Sequence, residues 1–310
     1  MQSCPIPRYL PYLSWLRGEL FSKIRASGGI SVLEAATTHV NELFAETNEE
    51  HFKFKMKGSP YNQPWVDRVK REYELADYIT VASRLQRDSF IRQGINPDKL
   101  LFAPLGVDTE RFSPLTDQSS CLPRAKGDKF TIISVGQVSL RKGIPYLLEA
   151  VKLLGDPEIE VILYGGIGWR KIRELIQKYM DMGLRIKLGS GDPVPALRSS
   201  HLCIHSAVED GFGLAPLEAM ATGIPTIVTE ATGMKDAIHH GMSGIVVPSR
   251  DVKRLAEYIQ KLKEDDNYRI QMAQAARLAA LKYDIRERIA QYAEVLTPVW
   301  KSIQLEKSIL

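Results

Sequence analysis

Cysteine is scarce: Cys4, Cys121 and Cys203 are the only three in 310 residues, and no two of them stand in CxxC spacing. An odd, scattered set supports neither a disulfide framework nor a zinc site, and it fits a reducing, cytoplasmic setting. Long apolar runs are missing too, and the opening MQSCPIPRYLPYLSWLRGEL is broken by prolines and charges. That excludes a good signal peptide and a bilayer-spanning segment, so any membrane association is expected to be peripheral and weak. No charge of one sign dominates: 41 Lys and Arg against 37 Asp and Glu leave +4. Such a balance falls short of the basic footprint of a nucleic-acid binder, and nucleic acid is set aside as a partner. The phosphate-loop spacing of nucleotide triphosphatases, with Gly-Lys-Ser/Thr after four residues, does not occur either.

What is present is an ordinary globular composition, 44% hydrophobic and 25% charged, in a chain longer than one core usually serves. Two α/β domains are expected. Apolar residues at helical spacing over Leu13 to Ala26 stop at Gly28-Gly29, and ISVLEAATTHV then reads as a helix end feeding a buried strand, with His39 near its terminus. A helix over Pro64 to Leu75, a strand in DYITVAS, a helix in RLQRDSFIRQG and a strand in LLFAPLGVD follow. In HFKFKMKG (His51 to Gly58) lysines alternate with apolar residues at strand period, which predicts a lysine-blunted edge strand or a solvated loop, the alternative being contact with lipid headgroups. Between Asp108 and Lys129 the composition turns to Pro, Ser, Thr, Gln and Gly, as at a domain boundary. The predicted division is 1–112, a linker over 113–128, a second domain over 129–293 and a terminal helix over 294–310. In the second domain strands and helices alternate from KFTIISVG to DVKRLAEYIQKLKED, including a helix in MKDAIHHG, which predicts a doubly wound parallel sheet.

Ligands of such sheets bind beyond the carboxyl ends of the strands, so the turns there are the places to search. In SVGQVSLRKG, Gly136 permits close backbone approach and Lys142 stands at the start of a helix, an arrangement that suits a diphosphate. The glycines of YGGIGWR (Gly165, Gly166, Gly168) miss the dinucleotide register and read as a turn cluster. HSAVEDGFGLAPLEAMATGIP carries the most information. Glu209 and Asp210 close a strand, Gly211 and Gly213 bracket Phe212, Pro216 opens a helix, and Glu218 lies inside it. A helix N-terminus favours a pyrophosphate, and carboxylates on either side accept hydrogen bonds from sugar and ribose hydroxyls.

The stretch VEDGFGLAPLEAMATGIPTIV resembles the signature of glycosyltransferase family 4, retaining enzymes of GT-B architecture in which two acidic residues, here Asp210 and Glu218, flank seven others. SVGQVSLRKGIPYLLEA is similar to the family's donor diphosphate loop, and EYELADYITVAS with LFAPLGVDTERFSP to its interdomain approach. The resemblance implies two Rossmann-like domains facing a cleft and transfer of a sugar from a nucleotide-sugar donor to a saccharide or lipid-linked saccharide acceptor. By the same resemblance Lys142 binds the diphosphate with Gly136, Gln137 and Arg141, and Glu218 holds the ribose. Asp210 and the amides of Gly211, Phe212, Gly213 and Leu214 hold the transferred sugar and phosphate, and His39 lies near the reacting centre. No cofactor or metal is implied, and no Asp-x-Asp triplet occurs.

Three departures stand out. Gln137 takes the place of the family's usual Arg, with Arg141 as its substitute, and Asp210 stands where Glu is frequent. Only about a hundred residues precede Gly106, so the first domain is expected to lack its opening strands and its glycine-rich acceptor loop. Two alternatives follow: a domain that binds a nucleotide sugar without transferring it, and a nicotinamide-dependent oxidoreductase built on the Gly165 cluster.

Overall fold

A computed structural model describes residues 20–309 apart from 22, 116–121 and 126, with side chains through Val299. Cys4, Cys121, the chain start and part of the expected linker lie outside the described residues. The amino-terminal portion holds β1 (Val32–Glu34), α1 (Val40–Lys53), α2 (Gln63–Leu75), β2 (Tyr78–Val81), α3 (Arg84–Arg92) and β3 (Leu100–Phe102). Its strands pair in parallel in the order β1-β2-β3, over a core of Leu33, Val40, Val66, Ile79 and Phe90.

The second domain runs β4 (Phe130–Val135), α4 (Ile144–Leu154), β5 (Ile159–Tyr164), α5 (Arg170–Asp181), β6 (Arg185–Gly189), α6 (Val194–Arg198), β7 (Leu202–His205), α7 (Leu214–Ala221), β8 (Thr226–Thr229), β9 (Ile245–Val247) and α8 (Val252–Glu264). All six strands are parallel, in the order β6-β5-β4-β7-β8-β9. This doubly wound order reverses between β4 and β7, which opens a crevice at their carboxyl ends. The strands are near-continuous apolar runs because helices cover both faces. One face packs Ile132, Leu147, Ile176 and Ile259, and the other packs Ile133, Leu217, Met220 and Ala276.

Helices α9 (Asp266–Leu281) and α10 (Ile285–Ile309) follow. The expected boundary at residue 294 falls inside α10, which opens beside the crossover: Val107 bridges Asp284, and the Arg277 guanidinium donates to the carbonyls of Phe112 at 2.9 Å and Thr109 at 3.1 Å. On the opposite side Arg250 binds Glu50 of α1 at 2.7 Å, and the Tyr146 hydroxyl donates to the same fully buried carboxylate at 2.8 Å. No helix among the described residues is long and apolar enough to cross a membrane.

Three local expectations change. MKDAIHHG forms a 3-10 turn over Gly233–Ala237 in place of an α-helix. HFKFKMKG is the end of α1 followed by a turn, with Phe54 and Met56 packed on the second domain's core, so the lysine alternation marks a helix end and not an edge strand. His39 does not end a strand. It caps α1: its Nδ1 accepts from the Asn41 amide at 3.2 Å, and its ring lies 5.0 Å from Tyr73 and 5.3 Å from Phe90.

Burial, the largest cause in each case, lowers the imidazoles of His39 and His201 to about 4, and both rings use a neutral nitrogen to accept a backbone N–H. The unfolded chain binds these protons near the ordinary histidine value of about 6.5, so stability is fully present above that pH and is lost as pH falls toward 4. Thermal melts are expected to show that decline, and His39→Asn with His201→Asn, which keeps an acceptor at each place, to flatten it. An unchanged slope in the double variant would contradict this assignment.

Candidate active site

The loop after β4 and the turn after β7 meet at the strand-order reversal. The loop is braced from below: the Gly136 amide donates to the Tyr164 carbonyl at 2.9 Å and the Val138 amide to the Gly166 carbonyl at 3.0 Å. The glycines of the YGG turn therefore support the neighbouring loop. At its far end Gly143 caps α4 with φ +66°, and a Cβ there would lie 1.7 Å from the Ser206 carbonyl oxygen. Only glycine lets the loop lie against the exit of β7, and this contact places Lys142 beside the β7 turn.

Lys142 Nζ stands 2.5 Å from Asp210 Oδ2, and His205 Nε2 donates to the same oxygen at 2.7 Å. Burial alone would raise the Asp210 carboxyl, but the Lys142 charge and the His205 hydrogen bond outweigh it and hold the carboxyl far below its ordinary range. Burial lowers the Lys142 ammonium, with Asp210 opposing, and it lowers His205, whose neutral ring then donates its Nε2 proton. An ammonium has three donors. Lys142 spends one on Asp210, and Asp210 Oδ1 takes no partner among the described residues, so both groups keep capacity for a ligand.

Arg141 pairs with the neighbouring carboxylate, not with the crevice. Its Nη1 lies 2.9 Å from Glu209 Oε2, while Glu209 Oε1 accepts from the amide of Thr38 at 3.0 Å and from its hydroxyl at 2.8 Å. The amino-terminal domain thus reaches this turn through Thr38. His39, one residue on, points into its own domain's core at 3% exposure, so the structure corrects its expected place at the reacting centre. The approach is close: a Cβ on Gly211 would lie 2.9 Å from the Thr37 backbone, and the Ser83 hydroxyl donates to the Gly211 carbonyl at 2.5 Å.

Helix α7 starts after Gly213, which has φ +91° and no side-chain cap. The amides of Gly211, Phe212, Gly213 and Leu214 find no backbone acceptor in turns or loops among the described residues. Unsatisfied donors at a helix N-terminus attract an anion. The Phe212 side chain belongs to the core at 6% exposure, so this residue offers a ligand its backbone amide, the group assigned to it from the sequence. Glu218, half-buried in the second turn of α7, makes no side-chain hydrogen bond among the described residues. Burial raises its carboxyl, with Arg111 opposing. The Gln137 amide stands beside Gly168, and the residue shares a cavity wall with Trp169.

Thr38, His205 and Glu209 were not singled out by sequence reasoning. Their signal is faint: Glu209 sits in the motif as one more acid, and nothing in ATTH marks Thr38 over His39.

The family model for glycosyl transferases group 1 matches residues 123–279, just over half of the chain. The chain belongs to that family. Within it, the protein is 24% identical over 242 residues to a D-inositol 3-phosphate glycosyltransferase of Xylanimonas cellulosilytica, covering 73% of this chain and 58% of that protein. It is 24% identical over 237 residues to the mannosylfructose-phosphate synthase of Agrobacterium fabrum, covering 70% and 50%. The chain spans about half the length of the curated relatives it matches. In fold it is similar to Anabaena HepE solved with UDP, at TM-score 0.74 and 21% identity, over 92% of this chain and 77% of that one. The sucrose-phosphate synthase of Thermosynechococcus elongatus gives the same TM-score, 0.74, and the same identity, 21%, over 93% and 72%. This member of the group 1 family thus has two parallel α/β sheets in the GT-B arrangement.

Proposed function

We propose that this chain transfers a sugar from a nucleotide-sugar donor to an acceptor hydroxyl, with the anomeric configuration kept as the family resemblance implies. The observation that carries the reading is the meeting of the Lys142 ammonium and the uncapped N-terminus of α7 on either side of Asp210, at the reversal of strand order. Charge develops on the departing diphosphate in such a transfer. Two donors of Lys142 and the amides of Gly211 to Leu214 are fixed in advance around one place for it, and donors of this kind contribute roughly 3 kcal/mol each to lowering a barrier. Positive character develops on the sugar ring, where the free Oδ1 of Asp210 supplies a compensating charge. Glu218 then takes the ribose hydroxyls. The reading assigns no role to a metal or cofactor, and it places the protein in the cytoplasm, at most peripheral to a membrane.

UDP is the first nucleotide to test, since HepE was solved with it. An ionised carboxylate accepts from hydroxyls more strongly than a protonated one, and burial raises the Glu218 carboxyl. UDP affinity is therefore expected to fall with decreasing pH already above the ordinary glutamate value of about 4.3. Glu218→Gln should weaken binding about tenfold near neutrality and remove that part of the pH dependence. Calorimetry giving identical profiles for the two proteins removes Glu218 from the site. Turnover of a panel of nucleotide sugars, slow hydrolysis included, separates transfer from binding alone.

A further inference from the structure

Beside the donor loop, a second cavity lies between the domains, with about 570 Å³ of space among its side chains, part of it open to solvent. The amino-terminal domain lines it with Thr47 and His51 of α1 and Tyr61 ahead of α2. The second domain supplies Gln137 and Arg141 of the donor loop and Trp169 ahead of α5. Several of its polar groups keep hydrogen-bonding capacity. The Thr47 hydroxyl is buried and has no hydrogen-bond partner, an uncommon state for a buried polar atom. His51 uses Nδ1 to donate to the Gly58 carbonyl at 2.7 Å, since a carbonyl only accepts, and this leaves Nε2 over. The Tyr61 hydroxyl and the Gln137 amide make no hydrogen bond among the described residues. Aromatic faces alternate with these groups: Tyr61 is stacked on Trp65 at 4.5 Å, and Trp169 meets His51 edge-on at 5.0 Å. The one side chain of fixed charge in the wall, Arg141, is already neutralised by Glu209 at 2.9 Å.

We infer that this cavity is the acceptor subsite and that it takes an uncharged, hydroxyl-rich ring, a hexose or a cyclitol, in place of a phosphorylated one. Apolar faces with interspersed donors and acceptors match a polyhydroxylated ring, and the absence of an uncommitted cation in the wall disfavours a phosphate. A ring held there shares a wall with the loop that carries Lys142, so a hydroxyl of it can face the donor. The inference rests on the proposed transfer reading, because it names the acceptor of that same reaction.

The test is an NMR titration of the full chain, saturated with UDP, using D-glucose, D-mannose, myo-inositol and the monophosphate of each. At least one neutral ring should bind. Thr47→Val should weaken it at least tenfold and Tyr61→Phe measurably, with UDP affinity within twofold of the parent in both. If no neutral ring binds the UDP-loaded protein, if Thr47→Val binds it equally, or if a phosphorylated ring binds more than tenfold tighter, the subsite assignment is overturned while the donor reading stands. A neutral ring that binds and is lost in Thr47→Val, in a protein that binds neither UDP nor GDP nor ADP, supports the cavity and defeats the transfer reading.

Discussion

Lys142→Ala is expected to lower kcat/KM by roughly 10²–10³-fold, the usual loss when one preorganised donor to a developing anion is removed. The effect has a second component. Lys142 neutralises the buried Asp210 carboxylate at 2.5 Å, and deleting one partner of a buried pair costs about 3–5 kcal/mol because the other charge is stranded. His205 still donates to Asp210, so the loss should fall at the lower end of that range. Lys142→Met combined with Asp210→Asn removes both charges and should recover most of the stability without recovering turnover. Melting curves read the first quantity, and steady-state kinetics on the folded fraction read the second. Turnover near the parent's in well-folded Lys142→Ala would remove the lysine from the chemistry.

Gly143→Ala should be the most damaging of the small substitutions. Its Cβ would sit 1.7 Å from the Ser206 carbonyl oxygen, and backbone on both sides leaves no flexible side chain to give way. Gly155 is the natural control, with φ +60° at the other end of the same helix and nothing within 4 Å of an added methyl. Gly155→Ala should cost only the left-handed backbone strain, about 1–2 kcal/mol. Gly143→Ala should cost ~4 kcal/mol or more and displace Lys142 from Asp210, with a matching loss of nucleotide affinity. Chemical denaturation of the two variants measures the difference, and equal costs would show that the contact with Ser206 does not hold the loop.

Much of this architecture was legible in the sequence because its signals are local. The alternation of β-branched runs with amphipathic helices fixes a parallel sheet, and glycine followed by Pro145 or Pro216 marks where α4 and α7 begin. Lys142, Asp210 and Glu218 stand out as candidates because each lies at a fixed offset from such a turn. What stayed hidden depends on contacts between distant segments. Thr38 reaches Glu209 across 171 positions, and only the packed domains show that Thr38, and not His39, faces the donor side. Phe212 looks like a loop residue in DGFG, yet it fills the core beneath α7. Gln137 appeared as a missing charge in the diphosphate loop, whereas the fold sets it with Trp169 in the wall of the second cavity.

A crystal structure of the chain with UDP bound addresses the donor site most directly. The β-phosphate should lie against Lys142 Nζ and the amides at the start of α7, with the ribose hydroxyls on Glu218. Nucleotide bound in any other place, with this crevice unfilled, would contradict the account.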